Sequence, residues 1–396
     1  MSRSDIFSLS FFSCARVESQ PVPEHCRVPC VCIDYCVVFF SRLMNTVYFL
    51  IPGLRLPRKV CAEVIARTDF SQLLQSCEGA EEIMTQQLVH SPAWEGAAHQ
   101  IWLWRVISKQ NTDPEAAAFE WEADGGPSMG AQTWRLWSFH QCEDQTVKSP
   151  EPMLTQDERI ELHDDLVRCV RRFGFELQQW EGRWYLTRKT DWAVTVKPWC
   201  AQKYYPVTEH SVSGEAREDF FALQQALKDF MAQSSVNEAR RDAGMETVDG
   251  FWPDGGSRRH LLKASTLRAV MCNDSAVLGW AQNAGLLNFR TVPVSDDWPE
   301  APEGDLLSVI DDLFESYRKA DWQTWSEQLP EVARKLAVLS AAARKRRCAR
   351  VVIVACGATD THTISFEAGG TAKGFLARFK KKKTLNLNDF LIERDY

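Results

Sequence analysis

The sequence has little that suits a membrane or a nucleic acid. It contains no run of about 18 consecutive apolar residues, the length that a membrane-spanning helix needs. Its formal net charge is −7, whereas a nucleic-acid-binding domain usually carries a basic surface. The 396 residues are 45% hydrophobic and 25% charged, which are ordinary values for a globular chain. We therefore expect a cytoplasmic protein with no membrane partner, and nothing indicates a nucleic-acid partner.

Motifs for phosphate binding and nucleophilic catalysis are also missing. There is no Gly-x4-Gly-Lys-Ser/Thr sequence of a P-loop and no Gly-x-Ser-x-Gly elbow of a serine hydrolase. Asp164 and Asp165 are adjacent on a predicted helix, so their carboxylates do not face each other as an acid and a base. Cys356 ends a predicted strand, where either a nucleophilic or a buried structural thiol can lie. No partner histidine is identifiable, which favours the structural thiol.

Residues 1–43 differ from the rest of the chain. They contain five of the 13 cysteines and show neither helical nor strand periodicity. Because Met44 directly precedes an apolar strand, we interpret these residues as an upstream extension of the coding sequence. One alternative is a signal-like apolar region over residues 6–15. The other is a zinc site formed by Cys26, Cys30, Cys32 and Cys36. The remaining cysteines are scattered, as expected for reduced thiols in a cytosolic protein.

From Met44 onwards, predicted strands alternate with predicted helices. Residues 47–51 form a continuous apolar run, typical of an interior strand of a parallel sheet. Residues 267–271, 275–283 and 287–292 are predicted as strand, helix and strand, a unit that makes a right-handed parallel crossover. Residues 350–356 are a further apolar strand. The sequence therefore predicts an α/β fold with a mostly parallel sheet flanked by helices.

Three further elements are predicted from shorter patterns. Residues 306–317 have the apolar spacing of an amphipathic helix, and residues 119–123 are predicted to be extended. Residues 363–366 follow the last core strand, and we expect them to pair with it in antiparallel fashion.

A change of composition after residue 150 predicts a small α-β-β subdomain. Thr155 and Glu158 have capping-box spacing and begin a helix that ends at Gly174. Residues 175–180 and 183–188 follow as a hairpin. We therefore divide the chain into an extension (1–43), a first part of the α/β core (44–150), an insert (151–205) and a second part of the core (206–396).

Residues 237–256 are the most distinctive stretch of the chain. Asn237 is predicted to be the N-cap of a short helix, with its side-chain oxygen accepting from a free backbone N–H. Gly244 suits the left-handed position that ends such a helix. Residues 253–256, Pro-Asp-Gly-Gly, are predicted to form a turn.

The pattern Asn237-x-x-Arg240-x-x-x-Gly244 resembles a segment of cofactor-independent phosphoglycerate mutases of the archaeal type. The predicted insert is similar to the small insert domain of those enzymes, and the three pieces from residue 152 to residue 294 occur in the same order. These mutases resemble alkaline phosphatases. The resemblance therefore implies an alkaline-phosphatase-like core for this chain.

A more specific resemblance is to the RpfE-type regulatory proteins of bacteria, often labelled phosphoglycerate mutase-like. It covers residues 45–396 and depends on three short motifs: Leu50-Ile51-Pro52, Arg183-Trp184-Tyr185-Leu186, and Trp252 followed by Gly255-Gly256. The chain departs from that group at Ser234-Ser235, which replaces a His-Pro pair. It also departs at Pro253-Asp254, which interrupts the tryptophan–glycine motif.

The resemblance to the mutases implies a centre with two metal ions, and this chain departs from that pattern. An Asp-Gly motif follows the first strand in the mutases, whereas here the strand ends Ile51-Pro52-Gly53-Leu54. Asp360 and His362 follow the last core strand, and two ligands do not hold two ions together with a phosphate. We therefore expect no catalytic residue and no cofactor, and a regulatory or ligand-binding role for a degenerate mutase-like protein.

Residues 255–260 offer a different chemistry, since two guanidinium groups and an imidazole follow a glycine turn. Such a group can recognise phosphate, or it can be an exposed basic turn. We predict a ligand site that binds a small phosphorylated molecule or a protein partner. Its candidate residues are Asn237, Arg240, Arg258, Arg259 and His260.

The competing hypothesis is an active metal-dependent phosphotransferase with a reduced site. Its metal, Mn or Zn, would be held by Asp254, Asp360 and His362, with His260 beside them. The two hypotheses differ in whether these side chains come together in the fold.

Overall fold

The computed structural model describes residues 46–77, 80–127, 130–263, 265–290, 304–345, 348, 350–367 and 387–394. All of these residues belong to one compact unit. The three hypotheses about residues 1–43 lie outside the described residues.

The described strands are β1 Thr46–Pro52, β2 Glu81–Gln87, β3 Gln132–Gln141, β4 Val147–Lys148, β5 Glu176–Trp180, β6 Arg183–Arg188, β7 Thr195–Val196, β8 Val212–Ser213, β9 Gly250–Ser257, β10 Leu267–Met271, β11 Leu287–Phe289, β12 Asp305–Val309, β13 Arg350–Cys356 and β14 Asp360–Glu367.

Helices connect and cover these strands, and none of the described helices combines the length and the apolar character that a membrane-spanning segment needs. Two short 3-10 helices, Pro92–Trp94 and Glu209–Ser211, add to them. The α-helices are α1 Arg58–Arg67, α2 Ser71–Ser76, α3 Ala98–Ser108, α4 Ala117–Ala123, α5 Gln156–Arg171, α6 Trp199–Gln202, α7 Arg217–Ala232, α8 Ser235–Asp242, α9 Ser275–Asn283, α10 Phe314–Arg318, α11 Trp322–Lys345 and α12 Leu387–Leu391.

The first sheet has the strand order β11–β10–β12–β1–β13–β14–β2. The strands from β11 to β13 run parallel to one another. Strand β14 is antiparallel to both of its neighbours. The prediction of a mostly parallel sheet is therefore confirmed, and so is the antiparallel pairing of residues 363–366 with the strand before them.

Alternation along β1 builds a core on each face of this sheet. Phe49 and Ile51 pack on one face with α1, α2 and α11. Leu50, between them, packs on the other face with α3, α4 and α9. A strand covered by helices on both faces needs apolar side chains at consecutive positions. The chain therefore has the predicted α/β fold, with helices flanking a mostly parallel sheet.

Two element predictions are wrong. Residues 306–317 do not form one helix, because β12 lies between β10 and β1 and only the short α10 follows it. Residues 119–123 are helical rather than extended and belong to α4. This helix packs closely against α9 at Gly279, where an added Cβ would lie 2.6 Å from the backbone of Phe119. In both cases tertiary packing decides the conformation of a short apolar segment.

A second, antiparallel sheet contains β4, β3, β6 and β5, with β9 pairing with β3. The predicted hairpin is confirmed as β5 and β6. The predicted helix is confirmed as α5, with a capping box between Thr155 and Glu158. Strands β3 and β9 come from outside residues 151–205, so this sheet uses more of the chain than the predicted insert. The domain boundaries remain a prediction.

Residues 237–256 differ from their prediction at two points. Ser234, not Asn237, is the N-cap of α8, and its hydroxyl accepts from the N–H of Val236. The predicted turn at 253–256 is wrong, because these residues lie within β9. The strand passes so close to Trp134 that a Cβ at Gly256 would lie 2.2 Å from its ring. Glycine here allows close packing of a strand against an indole. The expected left-handed Gly244 is confirmed, with φ of 68°.

Candidate functional site

A cleft lies at the carboxyl end of β10, where residues 272–276 turn into α9 and face the second sheet. It has two adjoining cavities of about 310 Å³ and about 450 Å³. Trp94, Pro114, Asp254 and Gly255 line both of them. The carboxyl ends of parallel strands are where ligands bind in open α/β sheets. We therefore take the two cavities, called the cleft below, as the candidate site.

An ion pair between Glu120 of α4 and Arg135 of β3 spans one wall of the cleft. Arg135 Nη1 lies 2.8 Å from Glu120 Oε2 and 2.9 Å from Ser275 Oγ, so it also reaches the first turn of α9. Burial raises the pKa of Glu120, an effect that the positive charge of Arg135 opposes and the negative charge of Asp274 reinforces. The positive charge of Arg135 is therefore already paired with the carboxylate of Glu120.

Asp254 of β9 lies at the junction of the two cavities. Its Oδ2 accepts a hydrogen bond of 3.0 Å from the backbone N–H of Trp199. Burial raises the pKa of Asp254 to about 7, and the carboxylate of Glu120 pushes it in the same direction. The Trp199 N–H and the charge of Arg135 oppose this rise. Asp254 therefore changes its charge within the neutral pH range.

Asp274 follows the end of β10 and lines the smaller cavity. It is the N-cap of α9, and its Oδ1 accepts from the N–H groups of Ala276 at 2.8 Å and Val277 at 3.3 Å. An N-cap aspartate is stabilised by the positive end of its helix. Its negative charge nevertheless adds to that of Asp254 and Glu120 across the cleft.

Three tryptophans form the apolar part of the lining: Trp94, Trp137 and Trp199. The rings of Trp137 and Trp199 stack, with centroids 6.1 Å apart and an angle of 16° between their planes. The guanidinium of Arg135 lies 3.5 Å above the Trp137 ring. The cleft thus combines flat aromatic surfaces with carboxylates, and a mainly apolar lining with a few polar groups is typical of small-molecule sites.

The thiols of Cys200 and Cys356 lack the properties of a nucleophile. Cys200 lines the cleft, but burial raises the pKa of its thiol well above the usual value, and the charges of Asp254 and Asp274 add to the effect. Burial likewise raises the pKa of Cys356. Reactive cysteines have lowered pKa values. Both side chains are therefore protonated thiols, and all the cysteines among the described residues are free, as the sequence predicts.

The predicted ligand residues Asn237 and Arg240 lie away from the cleft and hold the backbone together. Asn237 is buried, donates to the carbonyls of Met231 (2.8 Å) and Val248 (2.7 Å), and accepts from the N–H of Val248. Arg240 is fully buried and pairs with Glu158 at 2.6 Å. Their role as ligand contacts remains a prediction, although every polar group named here has a partner within the protein.

The basic residues 258–260 follow β9, and each of them has an acidic neighbour. Arg258 lines the larger cavity and pairs with Asp191 at 2.7 Å. Arg259 pairs with Glu122 at 2.7 Å, and the ring of His260 lies 3.7 Å from Glu115. A phosphate at these residues would have to replace the carboxylates that they already bind.

The residues of the hypothetical metal site are not gathered together. Asp360 is fully buried, and its two oxygens bind the guanidinium of Arg55 at 2.8 Å and 3.0 Å. His362 Nδ1 lies 2.8 Å from the Thr85 hydroxyl. Asp254 belongs to the second sheet and has other partners. Among the described residues, no three His, Cys, Asp or Glu side chains form a group that could hold a metal ion.

Comparison with known proteins gives similarity to solved structures only. No family model matches the chain, and no curated protein matches it either. The cofactor-independent phosphoglycerate mutase of Thermoplasma acidophilum DSM 1728 is 12% identical, with a TM-score of 0.42, over 84% of this chain and 92% of that one. The PH0037 protein of Pyrococcus horikoshii is 11% identical, with a TM-score of 0.44, over 82% and 87%. Values this low support no inference about activity or ligand.

Proposed function

We propose that this chain is a ligand-binding regulatory protein of the RpfE type that acts in the cytoplasm. Its core would be alkaline-phosphatase-like, and it would have lost the metal-dependent phosphotransfer of the mutases that it resembles. The proposal depends on one observation above all, which is the position of Arg55.

Arg55 follows β1, in the region where the mutase pattern requires an Asp-Gly motif. Its guanidinium binds both carboxylate oxygens of Asp360, and both side chains are fully buried. It also donates to the backbone carbonyls of Asp389 (2.9 Å), Phe390 (2.8 Å) and Ile392. A cation supplied by the protein thus neutralises the carboxylate that the metal hypothesis needs. A buried carboxylate paired in this way is not available to a second cation.

The cleft supports a binding role instead. Its volume is that of a small-molecule site, and its lining of aromatic rings with a few polar groups is typical of one. Among the described residues, its carboxylates form no group of three or more that could hold a metal ion. The proposal therefore assigns ligand binding to the cleft and no phosphotransfer to the carboxyl ends of β1 and β13.

The test measures metal binding and turnover on the same protein. The full chain is incubated with Mn, Zn or Mg, desalted, and analysed for bound metal, and phosphoglycerate isomerisation is followed with an active mutase as the positive control. We expect less than one equivalent of each metal and no turnover. Stoichiometric metal together with isomerisation would overturn the proposal. In that case Asp254→Asn and His362→Gln would show whether the hypothetical ligands hold the metal.

A further inference from the structure

We infer that the cleft binds a small organic ammonium ion that also carries an oxygen acceptor, such as an amino alcohol or an amino sugar. The inference rests on the proposed ligand-binding role and adds the chemical class of the ligand. It departs from the expectation of a phosphorylated ligand, because the charges, rings and hydrogen-bond donors of the cleft favour a cation.

The charges around the smaller cavity favour a cationic ligand. The two arginines that line the smaller cavity are both paired, Arg135 with Glu120 and Arg183 with Asp124, whose Oδ1 lies 2.7 Å from Arg183 Nη1. Asp254 is left with no ion-pair partner among the described residues. Removing a carboxylate from water without a counterion is costly. A ligand that brings a positive charge to Asp254 would offset this cost, whereas an anionic ligand would increase it.

Carboxylates also outnumber arginines in the lining of the larger cavity. Asp113, Glu115 and Asp191 line it together with Asp254. Arg258, the arginine among its described lining residues, already binds Asp191 at 2.7 Å and the carbonyls of Gly130 and Lys189. Arg258 and Asp191 neutralise each other, so a phosphate entering here would meet the carboxylates of Asp113, Glu115 and Asp254 and no unpaired arginine among the described lining residues. The repulsion between a phosphate and these carboxylates would disfavour its binding.

The aromatic side chains of the smaller cavity also favour a cation. Trp94, Trp137 and Trp199 line the smaller cavity, and ring faces of tryptophan attract cations. The protein itself uses one of these rings in this way, since the Arg135 guanidinium lies 3.5 Å above Trp137. Rings next to carboxylates suit an organic ammonium ion better than an inorganic cation. Binding also removes the apolar surface of its carbon substituents from water, which is favourable.

Two buried indole N–H groups beside the cavities favour a ligand that carries an acceptor. Trp94 lines both cavities, and Trp134 lines the larger one. Both side chains are more than nine-tenths buried, with 7% and 3% exposure. Neither indole N–H finds an acceptor among the residues that the structure describes. A buried donor without a partner destabilises the protein, so an oxygen of the ligand in reach of these N–H groups would complete the site.

The test compares charged probes with uncharged partners of the same shape. Isothermal titration calorimetry on the full chain would use choline and its carbon isostere, in which a quaternary carbon replaces the nitrogen, and glucosamine and glucose. We expect choline or glucosamine to bind roughly tenfold or more tightly than its uncharged partner, the range that cation–π and carboxylate contacts supply. Equal affinity within both pairs, or no binding of either ammonium probe, would overturn the inference.

Two variants identify the contacts. Asp254→Asn keeps the size and the acceptor of the side chain, and we expect it to weaken binding of the ammonium probe by roughly tenfold. Asp157→Asn is the matched control, since it removes one negative charge from an exposed position on α5. Trp94→Phe should weaken choline more than tetramethylammonium, which has no oxygen. Circular dichroism checks that each of the three variants is folded. Unchanged affinity of folded Asp254→Asn for the ammonium probe would contradict the inference.

The outcome separates this inference from the proposed function. Metal-dependent turnover would overturn the proposed function whether or not ammonium ions bind. Tight binding of 2-phosphoglycerate that survives Asp254→Asn, without turnover, would overturn the ammonium inference and leave the regulatory role standing. Selective ammonium binding without turnover would support both.

Discussion

At the scale of single residues, Asp254 gives the clearest test through pH. In the folded protein the pKa of Asp254 is about 7, whereas an aspartate in an unfolded chain has a pKa of about 4. Between these values the folded state binds more protons than the unfolded state. The contribution of Asp254 to the free energy of unfolding therefore falls as the pH rises, by at most about 1.4 kcal/mol per unit.

We expect Asp254→Asn to remove this slope. The variant should gain stability relative to the original chain as the pH rises from about 4 to about 7, and the gain should level off above that range. Urea unfolding at a series of pH values measures it. Comparing the two proteins cancels the pH dependence that other groups contribute. One of these groups is His99: burial lowers its pKa to about 3, and its contribution to stability changes with pH in the opposite direction. A difference that is constant with pH, or equal to that of the exposed control Asp157→Asn, would contradict the expectation.

Asn237 shows why the roles of single residues are hard to predict. The predicted short helix is present, but it begins earlier than predicted: Ser234 is its N-cap, and Asn237 lies inside its first turn. Asn237 instead joins the end of α7 to the segment before β9 through three hydrogen bonds. A local pattern does not distinguish a side chain that caps its own helix from one that binds a backbone segment elsewhere in the fold.

At the scale of elements, Glu158 connects the capping of α5 to a buried charge. Its Oε2 accepts from the backbone N–H of Thr155 at 2.6 Å, and both of its oxygens bind the fully buried Arg240. Thr155→Ala removes half of a capping box and should cost about 1 kcal/mol. Glu158→Ala also leaves a buried guanidinium without its carboxylate, which costs about 3–5 kcal/mol.

Chemical denaturation of the two variants tests this order. The neighbouring exposed residue supplies the control, since Asp157→Ala removes a charge from the same helical turn and should change the free energy of unfolding by less than about 1 kcal/mol. Equal costs for Thr155→Ala and Glu158→Ala would show that Arg240 draws no stability from this contact.

The predictability of the elements follows their burial. Strands β1 and β13 were predicted from the sequence because they are apolar at consecutive positions, a pattern that a parallel sheet covered on both faces imposes. Strand β12 was not, because residues 306–317 have apolar positions that also fit a helix. What makes Asp305–Val309 a strand is its place between β10 and β1. One of these two neighbours, β1, pairs with it through Val47 and Leu306, which lie far apart in the chain, and such long-range pairing is not visible in a local pattern.

At the scale of the whole molecule, only part of the candidate site is predictable from the sequence, namely Asp254 and Arg258 among the residues that line the cleft. The strand–helix unit of β10 and α9 was predicted, so the rule for open α/β sheets could have directed attention to Asp274. Glu120, Arg135 and Asp254 come from α4, β3 and β9, and the segment of Glu120 was predicted as extended. Asp254 is predicted only as an alternative metal ligand, and Glu120 and Arg135 look like ordinary surface residues in sequence. Their shared cleft arises only when the two sheets meet.

Arg55 provides the test at this scale, because it connects the beginning of the described chain to its end. It lies 305 residues from Asp360 and binds three carbonyls of residues 389–392. Arg55→Met would leave the Asp360 carboxylate buried without a cation, and we expect it to cost about 3–5 kcal/mol in the free energy of unfolding. The control Arg67→Met removes an exposed arginine from α1 and should have little effect.

The double variant Arg55→Met with Asp360→Leu distinguishes a lost ion pair from general damage. Removing both charges avoids the unpaired buried charge that each single variant leaves, so the double variant should cost less than the sum of the two single variants. Hydrogen exchange should show faster amide exchange in residues 389–394 of every variant that lacks Arg55, because those carbonyls lose their donor. Additive costs, or unchanged exchange in that segment, would show that the ion pair does not hold the end of the described chain to β1.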